Sequence, residues 1–435
     1  MSQIRLYLRN HPWIAASAMW ALATAICWLR MSGPERDAIW EEDGAVFIGD
    51  WLNRPSPWLI VTPYAGYVNL IPRLTQLIVQ LMPVADWAIL TTAASCAVVG
   101  LVGGIAFYCC RWTLTTWPVR LAVGLVPTLL PLAGVQPLGT VCNLHWWAIY
   151  AVFWIIVAQP NNRFATIVLA VVAFVFTMSE IMVVFLVPLM IWLVLRPKVA
   201  RQRVVSIVVA VGCAWQVITF LIVGRDTGAN VVTPLSAAIK GWLVNVIGGS
   251  ITSSLELVRA VLDAAGYQAL GVAAMFFIVP ILLALWRAPS LGRRLMIAYN
   301  LALSVVLWFF ILYKNGYPGG LYATGVVDVM LRWGVGASLC LSTALLLAID
   351  QLVTMRTLRL RFAVLILVLL FAVQCLSFIT VNNDRSAGLS WRLNVEIAQA
   401  QCQEGASQIV MFQHPPWWVQ PGWEQFVVPC DRLLR

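Results

Sequence analysis

The stretch "WIAASAMWALATAICWL" (residues 13–29) is the first of several long apolar runs, and runs of this kind decide the fold class. About 20 residues of helix cross the roughly 30 Å hydrocarbon core of a bilayer. The run follows Arg5 and Arg9, as a signal peptide would, but it continues into "RMSGPE" without a small-residue cleavage site. More apolar runs follow, so the sequence predicts a retained membrane anchor.

The composition extends this prediction to the whole chain of 435 residues, of which 61% are apolar and 11% charged. It predicts an all-α polytopic membrane protein with about 11 transmembrane helices. The predicted spans lie near residues 13–30, 87–110, 121–139, 144–158, 165–179, 181–195, 204–223, 267–286, 296–313, 333–349 and 362–381.

Two segments are predicted to lie outside the hydrocarbon. The first outer loop, 31–86, contains "VNLIPRLTQLIVQLMPV" (68–84), in which Pro72, Arg73 and two glutamines favour an interfacial helix. The second is the tail 383–435, which is too short for a sizeable core of its own. We therefore expect a membrane domain over 1–382 and a small extracytoplasmic C-terminal segment packed on it.

The distribution of charge predicts the orientation. With a cytoplasmic N-terminus, the inner loops obey the positive-inside rule. These loops carry Arg111, Arg120, Arg163, "RPKVARQR" (196–203), Arg287, Arg293, Arg294 and "RTLRLR" (356–361). Of the 18 acidic residues, only Asp350 then faces the cytoplasm, which indicates chemistry on the outer face. The net charge of +10 follows from this orientation, so it does not indicate nucleic-acid binding.

Most of the ten cysteines lie in or near predicted spans, where they serve as small packing residues. Cys402 and Cys430 lie in the outer tail, in an oxidising compartment. They are therefore predicted to form a disulfide.

An unusual acidic segment, "IWEEDGAVFIGDWL" (39–52), follows the first span. Its carboxylates belong to Glu41, Glu42, Asp43 and Asp50. Steps of three and four residues return to one helix face. One such face would hold Trp40, Asp43, Phe47 and Asp50. Two interpretations remain open: an interfacial helix whose acids face water, or an active-site carboxylate at the membrane surface.

The motifs "EDGAVF" (42–47), "YAGYVNLIPRL" (64–74) and "NLHWW" (143–147) resemble those of bacterial membrane glycosyltransferases of the GT-C superfamily. The ending "AQAQCQEG…PGWEQFVVPC" is similar to the tails of some bacterial members of that group. The resemblance implies a multi-pass protein of the bacterial inner membrane. It also implies transfer of a sugar, with inversion, from a polyprenyl-phosphate donor to a cell-envelope glycan or lipid acceptor.

The same resemblance implies roles for residues of the first loop. Asp43 is the first candidate for the base that deprotonates the acceptor hydroxyl, and Glu42 is the second. Neighbouring residues on a helix point in different directions, so only one of the two is expected to face the cavity. Tyr67 is a candidate for substrate binding. Glu42, Asp43 and Glu180 carry oxygen ligands that suit a divalent metal, but their spacing predicts no metal site and no cofactor is assigned.

A lipid phosphate as leaving group calls for nearby cations or hydrogen-bond donors. The candidates are Arg73, His145, Lys314 and Arg332. Arg332 and Arg73 rank above Lys314, because a planar guanidinium suits phosphate. The alternative for each basic residue is snorkelling to lipid headgroups.

Glu180 stands in the apolar stretch "FTMSEIMVVF" (176–185). A charge at the bilayer centre is costly, so the sequence favours a turn at the outer surface between two short spans. Glu180 would then lie near the other candidates, in an acceptor-binding or structural role.

Two other classes of function fit a polytopic chain. A transporter or flippase would place ionisable groups near the membrane midplane and often shows repeated halves, which this sequence lacks. A non-catalytic subunit of an envelope assembly would use acids and arginines for outer contacts.

Overall fold

The computed structural model describes residues 11–195, 200–224, 233–314, 332–376, 378, 384–386, 389–413 and 425–435. This part of the chain is helical apart from two short antiparallel hairpins. In one, Pro63–Tyr64 pairs with Tyr67–Val68. In the other, Gln408–Val410 pairs with Val427–Pro429.

The described residues form 7 helices that are long and apolar enough to cross a membrane. They are Pro12–Arg30, Val84–Trp112, Trp117–Gly134, Ala200–Val223, Leu255–Arg287, Leu291–Lys314 and Arg332–Thr354. The all-α membrane class predicted from composition is therefore confirmed at this level.

Shorter apolar helices occupy the remaining predicted spans. They are Cys142–Val157, Arg163–Thr177, Ile181–Val194 and Leu360–Leu376. Two other short apolar helices are Leu70–Val79, inside the predicted interfacial segment, and Leu235–Ile251. The count of about 11 spans stays a prediction, and the end of the predicted run 362–381 lies partly outside the described residues.

Helix Leu255–Arg287 bends at Gly266, whose φ of 62° lies in the left-handed region. Only glycine adopts this conformation at no steric cost. The bend separates a more polar first part from the apolar part that the sequence predicted to begin at residue 267.

Helix Val335–Thr354 is central, and its side chains from Val335 to Leu352 are all buried. Asp350 lies near its end and accepts hydrogen bonds from the backbone N–H groups of Thr115 and Thr116, at 3.1 and 2.8 Å. Asp350 also pairs with Arg293. Arg332 lies just before the start of the helix. Asp350 follows Arg332 by 18 positions, which correspond to about 27 Å of helix, close to the thickness of a bilayer core.

The C-terminal segment packs against the first loop. The Trp391 indole donates to the Val84 carbonyl at 2.7 Å, and its ring stacks on those of Trp87 and Phe426. The Arg385 guanidinium donates to the carbonyl of Glu35 at 2.7 Å. In this segment, helix Trp391–Gln403 and helix Cys430–Leu433 are joined by the predicted disulfide between Cys402 and Cys430.

Candidate functional site

A cavity of about 280 Å³ opens beside the first loop. We call it the charged cavity. Its polar wall consists of Glu42, Tyr64, Tyr67, Asn69, Cys142, Asn143, His145, Glu180, Lys314 and Arg332. Its apolar wall consists of Ala65, Trp146, Ile181, Met182, Val184, Phe185, Val217, Phe220, Phe310, Ile311 and Trp333. Most of the residues predicted from the sequence thus meet around one space.

Glu42 supplies one carboxylate of this cavity from a π-helix, Glu42–Ile48, in the first loop. One of its oxygens accepts a hydrogen bond from Arg332 at 3.1 Å. The other lies 3.7 Å from the Cys142 thiol. Arg332 therefore joins the first loop to the start of the central helix, and it carries the positive charge that balances Glu42.

Asp43, the first candidate for the base, is fully buried behind the cavity wall. Its two oxygens accept the backbone N–H groups of Val141 and Cys142, at 2.9 and 2.6 Å. Burial raises the pKa of Asp43 to about 6, although these two hydrogen bonds act in the opposite direction. Asp43 thus fastens the π-helix to the 3-10 helix Cys142–Trp147.

The expectation that only one of the acid pair faces the cavity agrees with this geometry. The α-helical spacing assumed for the stretch does not, because residues 42–48 form a π-helix. This wider turn is frequent at functional sites. The C-terminal segment holds this π-helix in place, since the Ala45 N–H donates to the Gln413 side-chain oxygen at 3.0 Å.

His145 and Glu180 form a second acid–base pair in the charged cavity. The Nδ1 atom of His145 is hydrogen-bonded to a carboxylate oxygen of Glu180. The other carboxylate oxygen accepts the Met182 N–H at 2.8 Å, so Glu180 also caps the 3-10 helix Ile181–Leu186. Glu180 follows the helix that ends at Thr177, and the turn predicted there is present. The Tyr67 ring lies against His145, with centroids 6.0 Å apart.

The two remaining cations have different environments. Arg73 is buried outside the cavity, where it pairs with Asp50 and lies over the Phe47 ring. It therefore holds the amphipathic helix Leu70–Val79 to the acidic segment. Lys314 ends helix Leu291–Lys314 and lines the cavity with an exposed side chain.

Sequence reasoning missed four polar residues of the wall, namely Tyr64, Asn69, Cys142 and Asn143. The Asn69 amide donates to the Tyr64 and Tyr67 carbonyls, both at 3.0 Å, and so shapes the hairpin. Burial raises the pKa of the Tyr64 hydroxyl well above its usual value. Three of the four lie inside the quoted motifs 64–74 and 143–147, and Cys142 is next to the second. The motifs therefore indicated the region of the cavity, but they did not indicate which of their polar side chains line it.

Two further observations concern acids and metals. Burial and the neighbouring Glu42 raise the pKa of Glu41 to about 8. Across the part of the chain that the structure describes, no three His, Cys, Asp or Glu side chains form a group that could hold a metal ion. Of the acids considered as ligands, Asp43 has both oxygens engaged by backbone N–H groups.

No protein-family model, curated protein or solved structure shows significant similarity to the chain.

The geometry alone defines what the cavity can accommodate. The lining offers two carboxylates, two cations and an imidazole, together with a set of apolar side chains. Ligand sites commonly combine a mostly apolar surface with a few convergent polar groups. An amphiphile with an anionic head fits this division, because its chain can lie on the apolar wall while its head meets Lys314 and Arg332.

Proposed function

We propose that the protein is a membrane glycosyltransferase that moves a sugar from a polyprenyl-phosphate donor to a cell-envelope glycan or lipid acceptor. One observation carries the proposal: a single cavity joins an ion-paired carboxylate, further cationic and imidazole groups, and an apolar wall. The resemblance of the motifs 42–47, 64–74 and 143–147 to the GT-C superfamily supports the same assignment.

The proposal includes the topology predicted from charge, with about 11 spans, a cytoplasmic N-terminus and an extracytoplasmic C-terminus in a bacterial inner membrane. The charged cavity then opens on the outer side. The separation of the Glu42–Arg332 and Arg293–Asp350 pairs by one buried helix supports this placement, because each pair then lies near a membrane surface.

In the proposed mechanism Glu42, rather than Asp43, is the general base. Glu42 lines the cavity, whereas both oxygens of Asp43 accept backbone hydrogen bonds. The Glu42 carboxylate takes the proton of the acceptor hydroxyl as that oxygen attacks the anomeric carbon. A single displacement of this kind inverts the configuration at the sugar.

Arg332 and Lys314 are proposed to bind the phosphate of the donor. Arg332 also orients Glu42 through their hydrogen bond. The apolar wall would receive the first part of the polyprenyl chain.

The test compares envelope glycans and glycolipids of a deletion strain that is complemented with wild-type protein, Glu42→Gln or Glu396→Gln. Glu396 is exposed on helix Trp391–Gln403, so its variant controls for loss of one acidic charge. We expect the deletion and Glu42→Gln strains to lack the same sugar decoration, and the control to restore it. Because general base catalysis contributes about 10²–10⁴-fold, residual transfer should be slight. An unchanged profile in the deletion strain would contradict the proposal.

A flippase remains the second candidate, because the same division of the cavity suits transport of a lipid phosphate. Purified protein incubated with lipid-linked sugars separates the two. A transferase releases free polyprenyl phosphate in the presence of acceptor, and a flippase leaves the donor intact.

A further inference from the structure

We propose that the His145–Glu180 pair binds and protonates the departing phosphate, with His145 as the proton donor and Glu180 as its positioning residue. This inference rests on the proposed transferase function. It assigns the second half of the reaction, the leaving group, to residues distinct from the Glu42 base.

The hydrogen bonds of the pair decide which ring nitrogen is available. Nδ1 of His145 faces a carboxylate that is itself fixed by the Met182 N–H. The carboxylate accepts a hydrogen bond from Nδ1–H and thereby stabilises the positively charged imidazolium. Nε2 is left as the ring nitrogen that can serve a ligand in the cavity, which His145 lines.

His145 is also suitably placed relative to Glu42. It lies three residues after Cys142 in the 3-10 helix Cys142–Trp147. Side chains three residues apart eclipse each other in such a helix, about 6 Å apart along its axis. The Cys142 thiol lies 3.7 Å from a Glu42 oxygen, so the base and the imidazole both lie beside this helix and line the same cavity.

The proposed step balances atoms and charge. The acceptor O–H bond breaks and its proton goes to Glu42, while the acceptor oxygen forms a bond to the anomeric carbon. The bond from that carbon to the phosphate oxygen breaks, and its electron pair stays on the oxygen. The Nε2 proton of His145 moves to this oxygen. Solvent then removes the proton from Glu42 and returns one to His145.

Other groups around the cavity also set its charge in the pH range where histidine titrates. Lys314 and Arg332 contribute positive charge. Glu42 and Tyr67, from the first loop, are further ionisable groups that line the cavity. The pKa values of Asp43 and Glu41, about 6 and about 8, lie in or beside this range. Their ionisation also weakens anion binding as pH rises. The contribution of His145 is therefore the difference between wild-type protein and a variant without the imidazole.

The experiment measures binding of farnesyl sulfate to the purified full-length protein between about pH 5 and about pH 8, the range of histidine titration. A sulfate ester keeps one negative charge over this range, so its own titration does not contribute. The variants are His145→Gln and Glu180→Gln. His11→Gln is the matched control, because it removes an imidazole from the start of helix Pro12–Arg30.

We expect wild-type protein and His11→Gln to bind about 10-fold or more weakly at the upper pH, the effect of losing one charge-assisted hydrogen bond. His145→Gln should bind weakly and lose most of this pH dependence. Glu180→Gln keeps a side-chain oxygen that can accept the Met182 N–H but removes the carboxylate beside Nδ1, so it should shift the fall in binding to lower pH. Thermal melts establish folding of each variant.

A wild-type pH profile in folded His145→Gln, or an unshifted profile in Glu180→Gln, would overturn this inference and leave the proposed transferase intact. Failure of wild-type protein to bind the sulfate or farnesyl phosphate at any pH would overturn both.

Discussion

Glu42 and Asp43 are neighbours in the chain, but their carboxylates have different surroundings. Glu42 reaches the charged cavity and Arg332. Asp43 does not line the cavity. Its two carboxylate oxygens accept hydrogen bonds from two backbone N–H groups instead of from water. An acid whose oxygens are both occupied by the protein is a poor base for a substrate. The two amide variants should therefore have different effects. Glu42→Gln should lose the proposed activity, whereas Asp43→Asn should lose stability.

Asp43→Asn should lower stability. An amide has one acceptor oxygen in place of two, so one of the N–H groups of Val141 and Cys142 loses its partner, at a cost of about 1–3 kcal/mol. The measurement is the thermal unfolding of the purified variant in detergent. Asp431→Asn is the control, because Asp431 is exposed in a surface ion pair with Arg435. Equal stability of Asp43→Asn and the control would contradict the role of Asp43 as a fastening residue.

Glu41→Gln should change how stability depends on pH. The pKa of Glu41 is raised from 4.5 to about 8, so the folded protein binds this proton more tightly than the unfolded chain does. The contribution to stability is complete below about pH 4.5 and is lost as pH rises through about 8. We expect melting temperatures of wild-type protein to fall over this range and those of Glu41→Gln to fall less. Parallel profiles of the two proteins would contradict the assignment.

At the scale of elements, the π-helix Glu42–Ile48 depends on its contact with the C-terminal segment. A Cβ atom at Gly44 would lie 2.8 Å from the Gln413 side-chain oxygen and 2.8 Å from the Phe426 ring. Phe426 is fully buried against Trp87 and Trp391, so it has little room to move. A glycine is therefore required where the two segments meet.

Gly44→Ala should displace the π-helix and with it Glu42. We expect the proposed transfer activity to fall at least about 10-fold, because small displacements of catalytic groups have large effects on rate. The assay is the polyprenyl-phosphate release described above. Gly33→Ala is the control, since a Cβ at Gly33 meets no atom within 4 Å. Wild-type activity of Gly44→Ala would show that the contact does not position Glu42.

The helices that cross or border the membrane could be predicted because their signal is local. An apolar run such as 87–110 specifies a helix by its composition, and Glu180 marked a turn because a lone charge is costly in hydrocarbon. The π-helix could not be predicted, since its spacing depends on the contact with Gln413, more than 360 residues away in the chain. The surroundings of Arg73 and Asp43 could not be predicted from the sequence either. Each is determined by partners distant in sequence, Asp50 for Arg73 and the Val141–Cys142 backbone for Asp43.

At the scale of the whole molecule, the first loop is held from two directions. Arg332 and the 3-10 helix Cys142–Trp147 hold it to the helical bundle. The C-terminal segment holds its other side through Trp391, Phe426 and Gln413. Glu42 therefore lies between the bundle and a small appended unit, and the rigidity of that unit should affect the proposed activity.

Removing the disulfide tests this link. It closes a loop of 28 residues, and loss of a bridge of this size lowers stability by about 2–4 kcal/mol. In the double variant Cys402→Ser, Cys430→Ser, hairpin Gln408–Val410 with Val427–Pro429 should loosen, and Phe426 and Gln413 should release the π-helix. We expect melting at lower temperature and reduced polyprenyl-phosphate release. Cys375→Ser is the control, because Cys375 is an exposed free cysteine. A double variant that melts at lower temperature with full activity would show that the tail stabilises the protein without positioning Glu42.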